Sequence, residues 1–534
     1  MTRCHSTKED LVIQHPSCAA RSTLLRALLF TGVVLFMLLV PTGAFAAKHS
    51  DRHHQLRGFS WNATGSTWIF DEALDPDDGR SPANTYTLTG QYSIGAGDTD
   101  RARLQYVRTS LGNQREVTEL IDGRHGALIG SDSNFGPPTT KAMTSDRLAA
   151  ILKEQWLMNP QVLLADRSMS HRTSRTGRHV RVNGKLANEY MIHGDAGRIR
   201  LLVDRHSRRV VRALAVEHHT MRRDVVVRVD FSDWRRVDGM AWPMHVALHV
   251  DGQLMHEEQR SNVQLNPTFA AGTFSLPATN PAPTFDASFA TRGWKTSQEL
   301  MMYANLGFPK DGDHTVVTPL QASPGVWLIQ GHPNQSAIVE QSNGLVVFDA
   351  ALDEQRSEAI IAWARQTFPT KRIKAIHVGH HHVDHAGGTR PYVALGARLF
   401  VHESAVPLFR RVLGERRSSV IPDRLDRKPW VRARIVAVPS SGEVVLRDSL
   451  RSIRFFAEPT THAESTIIAH VEGDGTTFLN GDTCSVGSAP GQGGAGCRST
   501  NDVLAAHGIT PSVVIGGHGP VATGAQFLAS LPPA

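Results

Sequence analysis

The sequence predicts an α+β chain in two parts, a β-rich half followed by a layered α/β half. Three observations carry that prediction. Short runs of β-branched and aromatic residues, separated by Gly, Asp and Asn, fill residues 50–280. Pro277, Pro281 and Pro283 then crowd into a stiff, extended linker over 281–312. From residue 313 apolar strands alternate with helical segments, the texture of a layered α/β architecture. At 534 residues the chain is too long for one ordinary domain.

Residues 1–46 stand apart from the fold. Arg21 and Arg26 precede the apolar run Ala27 to Val40, and Ala44-Phe45-Ala46 supplies a small-residue cleavage site. Together these are the parts of a secretory signal peptide cut after Ala46. Ala27 to Ala47 carries no charge and approaches spanning length, so an uncleaved membrane anchor is the alternative. Both readings export the bulk of the chain, to the periplasm or beyond. Cys4 and Cys18 precede the apolar core, which leaves Cys484 and Cys497. These either pair as a disulfide in an oxidising compartment or stay as two partly buried thiols. Cys484 as a metal ligand is a third option, for which Asp482 is better placed. The formal charge is +7, of which the leader's four basic and two acidic residues account for +2, leaving +5. That mild bias does not argue for a nucleic-acid partner.

In the first half, Tyr86, Leu88, Gly90 and Tyr92 alternate with Thr87, Thr89 and Gln91, which predicts a strand with one buried face. Further strands are expected at 103–108, 180–182, 198–203, 210–216, 225–231 and 245–250, with a helix over Ser145 to Leu157 that Pro160 closes. Asp238-Gly239 is a hairpin signal. The stretch Asp230 to Pro243 resembles a hairpin of the lipoprotein-carrier fold (LolA/LolB-like). The resemblance implies a curved antiparallel sheet around a helix, with an apolar cavity and membrane or lipid contact. Arg222-Arg223 and Arg235-Arg236 read as solvated strand faces and turns.

A short helix is expected at 297–304. In the second half, strands are expected at 325–329, 336–340, 344–348, 373–378, 397–401, 443–446, 453–457, 466–471, 476–479 and 513–515. Helices are expected over 354–367, 388–395 and 403–413. Residues 414–431, rich in Arg and Pro, read as an inserted loop of the kind that can cover a site.

The chemistry concentrates directly after the run Ile373 to Val378. Residues 380–385 read His-His-His-Val-Asp-His and contain one His-x-His-x-Asp-His frame: His380, His382, Asp384 and His385. Its imidazoles would repel one another when protonated and bury poorly when neutral, but with the carboxylate they suit a divalent metal. Later strand ends add donors: Glu458 to His462, Asn480-Gly481-Asp482, and Gly516-Gly517-His518-Gly519. Sites in layered α/β folds collect in loops beyond strand ends, so these segments can converge. His53-His54 and His218-His219 read as surface or turn residues.

Residues 313–534 resemble the metallo-β-lactamase superfamily on five marks that occur in the family's order. These are Asp349 at the end of an early strand, the His-x-His-x-Asp-His loop, His462, Gly481-Asp482 and Gly517-His518-Gly519. The resemblance implies a four-layer αββα sandwich holding two divalent metal ions, zinc foremost. His380, His382 and His462 would hold the first, Asp384, His385 and His518 the second, and Asp482 would bridge them with Asp349 in support. Two dications would lower the pKa of a shared water toward about 7 and yield a bridging hydroxide. Asp384, the catalytic residue of this reading, would orient it and receive a proton. His377 and His381 fall outside the frame and read as strand and spacer residues. Gly387 and Gly388 allow backbone to approach the ligand loop.

Departures from the family's lactamases narrow the reaction. The commonest β-lactamase subclass has Cys where this chain has Asp482 and lacks a match to His385; the subclass with that His usually lacks the bridging Asp. The set here looks more like glyoxalase II, lactonases, phosphodiesterases and alkylsulfatases, and export speaks against a cytosolic thioester role. The resemblance thus implies an exported hydrolase that cleaves an ester, lactone or related bond in a small-molecule substrate. Two other classes stand beside it: an iron-dependent oxidoreductase of the sulfur dioxygenase type, and a non-catalytic lipid or lipoprotein carrier. Oligomeric state has no signature in the sequence.

Overall fold

Residues 80–93 alternate as the sequence requires, with Tyr86, Leu88, Gly90 and Tyr92 all buried and Thr85, Thr87 and Thr89 exposed. In this computed structural model the described residues are 55–95, 99–110, 112–134, 137–165, 173–194, 197–222, 224–278, 297–307, 314–415, 422–479, 481–485 and 489–533. The leader 1–46, linker residues 281–296 and 308–312, and loop residues 416–421 lie outside them.

Three sheets form among the described residues. The first has thirteen antiparallel strands and a simple path. Its first six run outward from Gly58–Phe70 to the edge strand Thr139–Ala142. Helices Ser145–Met158 and Gln161–Ala165 then lead to the opposite edge strand Thr173–Val182. The last seven run back until Gln253–Leu265 pairs with Gly58–Phe70. At the expected hairpin Val237 pairs with Met240, and Asp238 and Gly239 both take positive φ, 46° and 81°. That backbone is the type I′ turn that two-residue hairpins favour.

Leu148 and Ile151 of the helix pack with Phe59, Trp61, Tyr92 and Trp242 of the strands. Its neighbourhood is also charged. Arg147 is fully buried between Asp132 (2.6 Å) and Glu119 (3.1 Å), and Lys153 lies 3.3 Å from Glu217.

The second sheet has seven strands. Four antiparallel strands, ending in Gly344–Phe348, are followed by parallel partners Ile373–His377, Arg398–His402 and Arg434–Val438. The third has six, in which Thr476–Leu479 and Val513–Gly516 pair in parallel. The two sheets bury one common cluster: Val339, Phe348, Ala375 and Phe400 from the second meet Phe455, Ala469, Phe478 and Ile515 from the third. Each of the larger side chains among these, Val339, Ile515 and the phenylalanines, contributes about 1.5–3 kcal/mol on leaving water. Helices Glu354–Thr367, Thr389–Ala394 and Val406–Gly414 pack with outward residues of the second sheet. Ala495–Ala506 and Gly524–Ser530 pack with those of the third.

The helix Ser297–Leu306 ties the parts together. Asn305 donates to Trp68 O (2.7 Å) and accepts from Thr67 Oγ1 (2.8 Å), while the Tyr303 hydroxyl donates to Asp353. Two expectations change in detail. The helix expected over 403–413 is a 3-10 turn, Glu403–Ala405, followed by Val406–Gly414 with Pro407 in its first turn. The described end of the expected covering loop is pinned down: Arg390 holds Asp423 and Asp426, and Arg424 holds Glu358. No helix among the described residues is long and apolar enough to cross a membrane.

Removing Arg147 leaves Asp132 and Glu119 without their shared cation inside the protein. Arg147→Ala is expected to destabilise the fold by about 3–5 kcal/mol in denaturant unfolding. A loss below about 1 kcal/mol, the range of an exposed pair, would contradict the packing described.

Candidate metal centre

Five strands end in segments that carry the centre. Asp349 follows Gly344–Phe348, the hexapeptide follows Ile373–His377, His462 lies beyond Ile453–Ala457, Asp482 beyond Thr476–Leu479, and His518 beyond Val513–Gly516. Asp349 takes a left-handed φ of 56° and is fully buried. Its Oδ1 accepts from Gly379 N (2.6 Å) and its Oδ2 from His385 Nδ1 (2.6 Å). The turn after it runs along the ligand loop: Ala350 N donates to His385 O, and Leu352 N to Asp384 O. A Cβ on Gly387 would fall 1.9 Å from Leu352 O, and one on Gly388 2.0 Å from Ser357 Oγ. Both positions therefore require glycine.

All seven expected ligands converge. His380, His382 and His462 form one group able to hold a metal, and Asp384, His385, Asp482 and His518 form another. Asp482 touches both: Oδ2 lies 3.4 Å from His380 Nε2, 3.4 Å from His462 Nε2 and 2.9 Å from His385 Nε2, while Oδ1 lies 3.2 Å from His518 Nε2. Two nitrogen pairs, His380 with His462 and His385 with His518, stand 3.2 Å apart Nε2 to Nε2. Zinc–nitrogen bonds of about 2.0–2.1 Å at tetrahedral angles place two ligand atoms about 3.3 Å apart, so these spacings fit a shared cation.

Hydrogen bonds on the far side of three rings decide which nitrogen turns inward. A carboxylate or carbonyl only accepts, so the ring nitrogen facing it carries the proton. His385 Nδ1 donates to Asp349, His518 Nδ1 to Pro333 O (3.1 Å), and His382 Nε2 to Ala73 O (3.0 Å). When neutral, His385 and His518 then aim two lone pairs at each other, an arrangement that a cation relieves. His382 presents Nδ1, a buried atom without a hydrogen-bond partner among the described residues. Asn334 Nδ2 donates to Asp384 Oδ2 (2.9 Å) and fixes that carboxylate.

The charges agree. Burial, with His385 and His382 nearby, keeps the His380 pKa well below its usual value, and burial beside His381 and His462 lowers His382 to about 3. Both rings are neutral and ready to bind. Burial opposes charge on His385 and His518 as well, but the surrounding aspartates outweigh it. Asp384, Asp482 and Asp349 hold His385 well above its usual value, and Asp482 and Asp384 raise His518 to about 10. Without metal, a proton held between these two rings stands where a cation would sit. The site opens on one side, where the His462 side chain is 35% exposed.

His381 faces away, its Nδ1 against Ser465 Oγ (2.7 Å), as a spacer should. His377 stacks on Phe455 inside the sheets, 5.6 Å between ring centres. Cys484 and Cys497 are disulfide-bonded, which clamps the segment after Asp482 and removes Cys484 from the donors.

One residue was not legible in the sequence. Glu72, between strands Gly58–Phe70 and Arg80–Ser93, groups with His382 and Asp384 as a third set able to hold a metal. Burial, then Asp384 and Asp482, push its carboxyl well above the usual range. It lies 311 positions before its partner Val383, and nothing in Phe70-Asp71-Glu72-Ala73 marks it.

No family model and no curated protein matches the sequence. Among solved structures the chain is similar to a metallo-beta-lactamase from Pontibacter korlensis, with 13% identity and a TM-score of 0.31 over 40% of this chain and 97% of that one. It is also similar to the DIM-1 metallo-beta-lactamase (14%, 0.31, 40% and 94%) and to FIM-1 from Pseudomonas aeruginosa in its mono-zinc form (18%, 0.30, 40% and 92%). Such low TM-scores carry no functional weight; the side chains do.

His385 and His518, both raised above the usual imidazole range by the surrounding aspartates, must give up the proton they hold between them before both can ligate, so metal uptake strengthens as pH rises. Zinc titration of chelator-stripped protein near pH 7, in two buffers of different ionisation enthalpy, is expected to show net proton release. Binding without proton release would contradict the charge distribution described.

Proposed function

We propose that the chain is an exported hydrolase with two divalent metal ions, zinc foremost, that cleaves an ester, lactone or related bond in a small molecule. The observation that carries this reading is the Asp482 carboxylate, which stands within 3.4 Å of ligand nitrogens in both groups. His380, His382 and His462 would hold one ion, Asp384, His385 and His518 the other, with Asp482 shared. Ions so placed would supply a water of lowered pKa and polarise the scissile carbonyl. The protein's own part is to hold neutral imidazoles in fixed tautomers and to seat Asp384 through Asn334. There Asp384 can orient the attacking water and take its proton.

In this reading the chain comprises a leader (1–46), a β-rich domain (50–280), a linker (281–312) and a four-layer metallo-β-lactamase-like domain (313–534). The β-rich domain supports the site through Glu72 and Ala73, which contact the ligand loop.

The test is metal analysis of the exported protein together with an ester, lactone, phosphodiester and β-lactam panel. Two zinc ions per chain are expected, with ester or lactone turnover that Asp384→Ala lowers about 100-fold or more while the fold persists. Bound iron with oxygen uptake, or a fully active Asp384→Ala protein, would refute the hydrolase assignment.

A further inference from the structure

We propose that Glu72 is a metal-centre carboxylate supplied by the β-rich half, and that its charge turns the site toward uncharged substrates. This rests on the two-metal reading above and goes beyond it in ligand set and substrate class.

The Glu72 segment is built to face the centre. Asp71 is buried with a left-handed φ of 57°, and Arg222 grips its carboxylate through both Nε (2.9 Å) and Nη2. The next three residues dock on the metal-binding half. Val383 N donates to Glu72 Oε1 (3.0 Å), His382 Nε2 to Ala73 O (3.0 Å), and Glu464 N to Leu74 O (2.9 Å). With Oε1 held, Oε2 lies 3.3 Å from His382 Nδ1. That nitrogen is the ring's unprotonated one, because Nε2 carries the proton given to Ala73. Two electron-rich atoms at this distance repel unless a proton or a cation lies between them, and because His382 Nδ1 makes no hydrogen bond among the described residues a shared cation fits. Their spacing is about that of two ligands on a tetrahedral zinc. Glu72 groups with His382 and Asp384 rather than with His380 and His462. It therefore enters where the two ligand sets meet.

The chemical consequence is one of charge. Two dications against Asp384 and Asp482 leave a centre with surplus positive charge, suited to a phosphodiester or sulfate ester. Glu72 removes one unit of that surplus at the metal held by His382. An anionic substrate loses attraction there, while a neutral ester or lactone carbonyl loses little.

Glu72→Gln in the full-length chain tests this, since glutamine keeps the shape and an oxygen acceptor for Val383 N. Three quantities are compared with the unsubstituted protein: zinc affinity by chelator competition, the visible spectrum of the cobalt-loaded form, and the turnover ratio of bis(4-nitrophenyl) phosphate to 4-nitrophenyl acetate. The expected result is zinc affinity weakened about tenfold at one site, a changed cobalt spectrum, and a ratio shifted about tenfold toward the phosphodiester. An unchanged spectrum, affinity and ratio in a chain that binds two metals would overturn the role of Glu72 and leave the two-metal reading standing. An unsubstituted chain that binds no metal would overturn both.

Discussion

Five imidazoles and three aspartates share one desolvated pocket, and electrostatics allows that only around positive charge. In the metal-free state a proton held by the His385–His518 pair supplies it, opposite Asp384, Asp482 and Asp349. Much of the surrounding structure serves this balance. Asp349 accepts a left-handed backbone to hold His385, Gly387 and Gly388 let the Leu352 turn close over the loop, and Pro333 sets the tautomer of His518. The hydrophobic layers beneath, centred on Phe348, Phe455 and Phe478, fix the strand ends from which these residues project.

The two halves of the chain meet at the chemistry. Ala73 sets the ring nitrogen that His382 offers, and Thr220 donates to Leu352 O (3.1 Å) within the turn that follows Asp349. The β-rich half therefore acts as part of the wall of the centre. A carboxylate and a carbonyl from its first interstrand segment do work that the metal-binding half leaves undone.

The sequence disclosed the centre well because its donors follow strand ends that are short, apolar and self-contained, such as Ile373–His377 and Thr476–Leu479. It disclosed the thirteen-stranded sheet in part. Arg80–Ser93 alternates cleanly, whereas Gln253–Leu265, reading Gln-Leu-Met-His-Glu-Glu-Gln-Arg, looks solvated until its partners are known. His256, Glu258 and Arg260 are buried there because Tyr86 accompanies His256 and Arg260 pairs with Glu258. Arg434–Val438 was hidden for a related reason: its parallel partner Arg398–His402 lies across a helix and a long loop. Glu72 was beyond reach, since its meaning depends on a contact made across hundreds of residues. Local pattern reveals donors within one loop; donors brought by another half of the chain emerge only from the fold.

The central claim is that two cations sit on either side of Asp482. Anomalous X-ray scattering at the zinc edge, from crystals of the zinc-loaded full-length chain, measures this directly. Two peaks are expected, about 3.5–4 Å apart, one among His380, His382 and His462 and one among Asp384, His385 and His518, each within bonding distance of Asp482. A single peak, or two peaks of which one does not touch Asp482, would contradict the account.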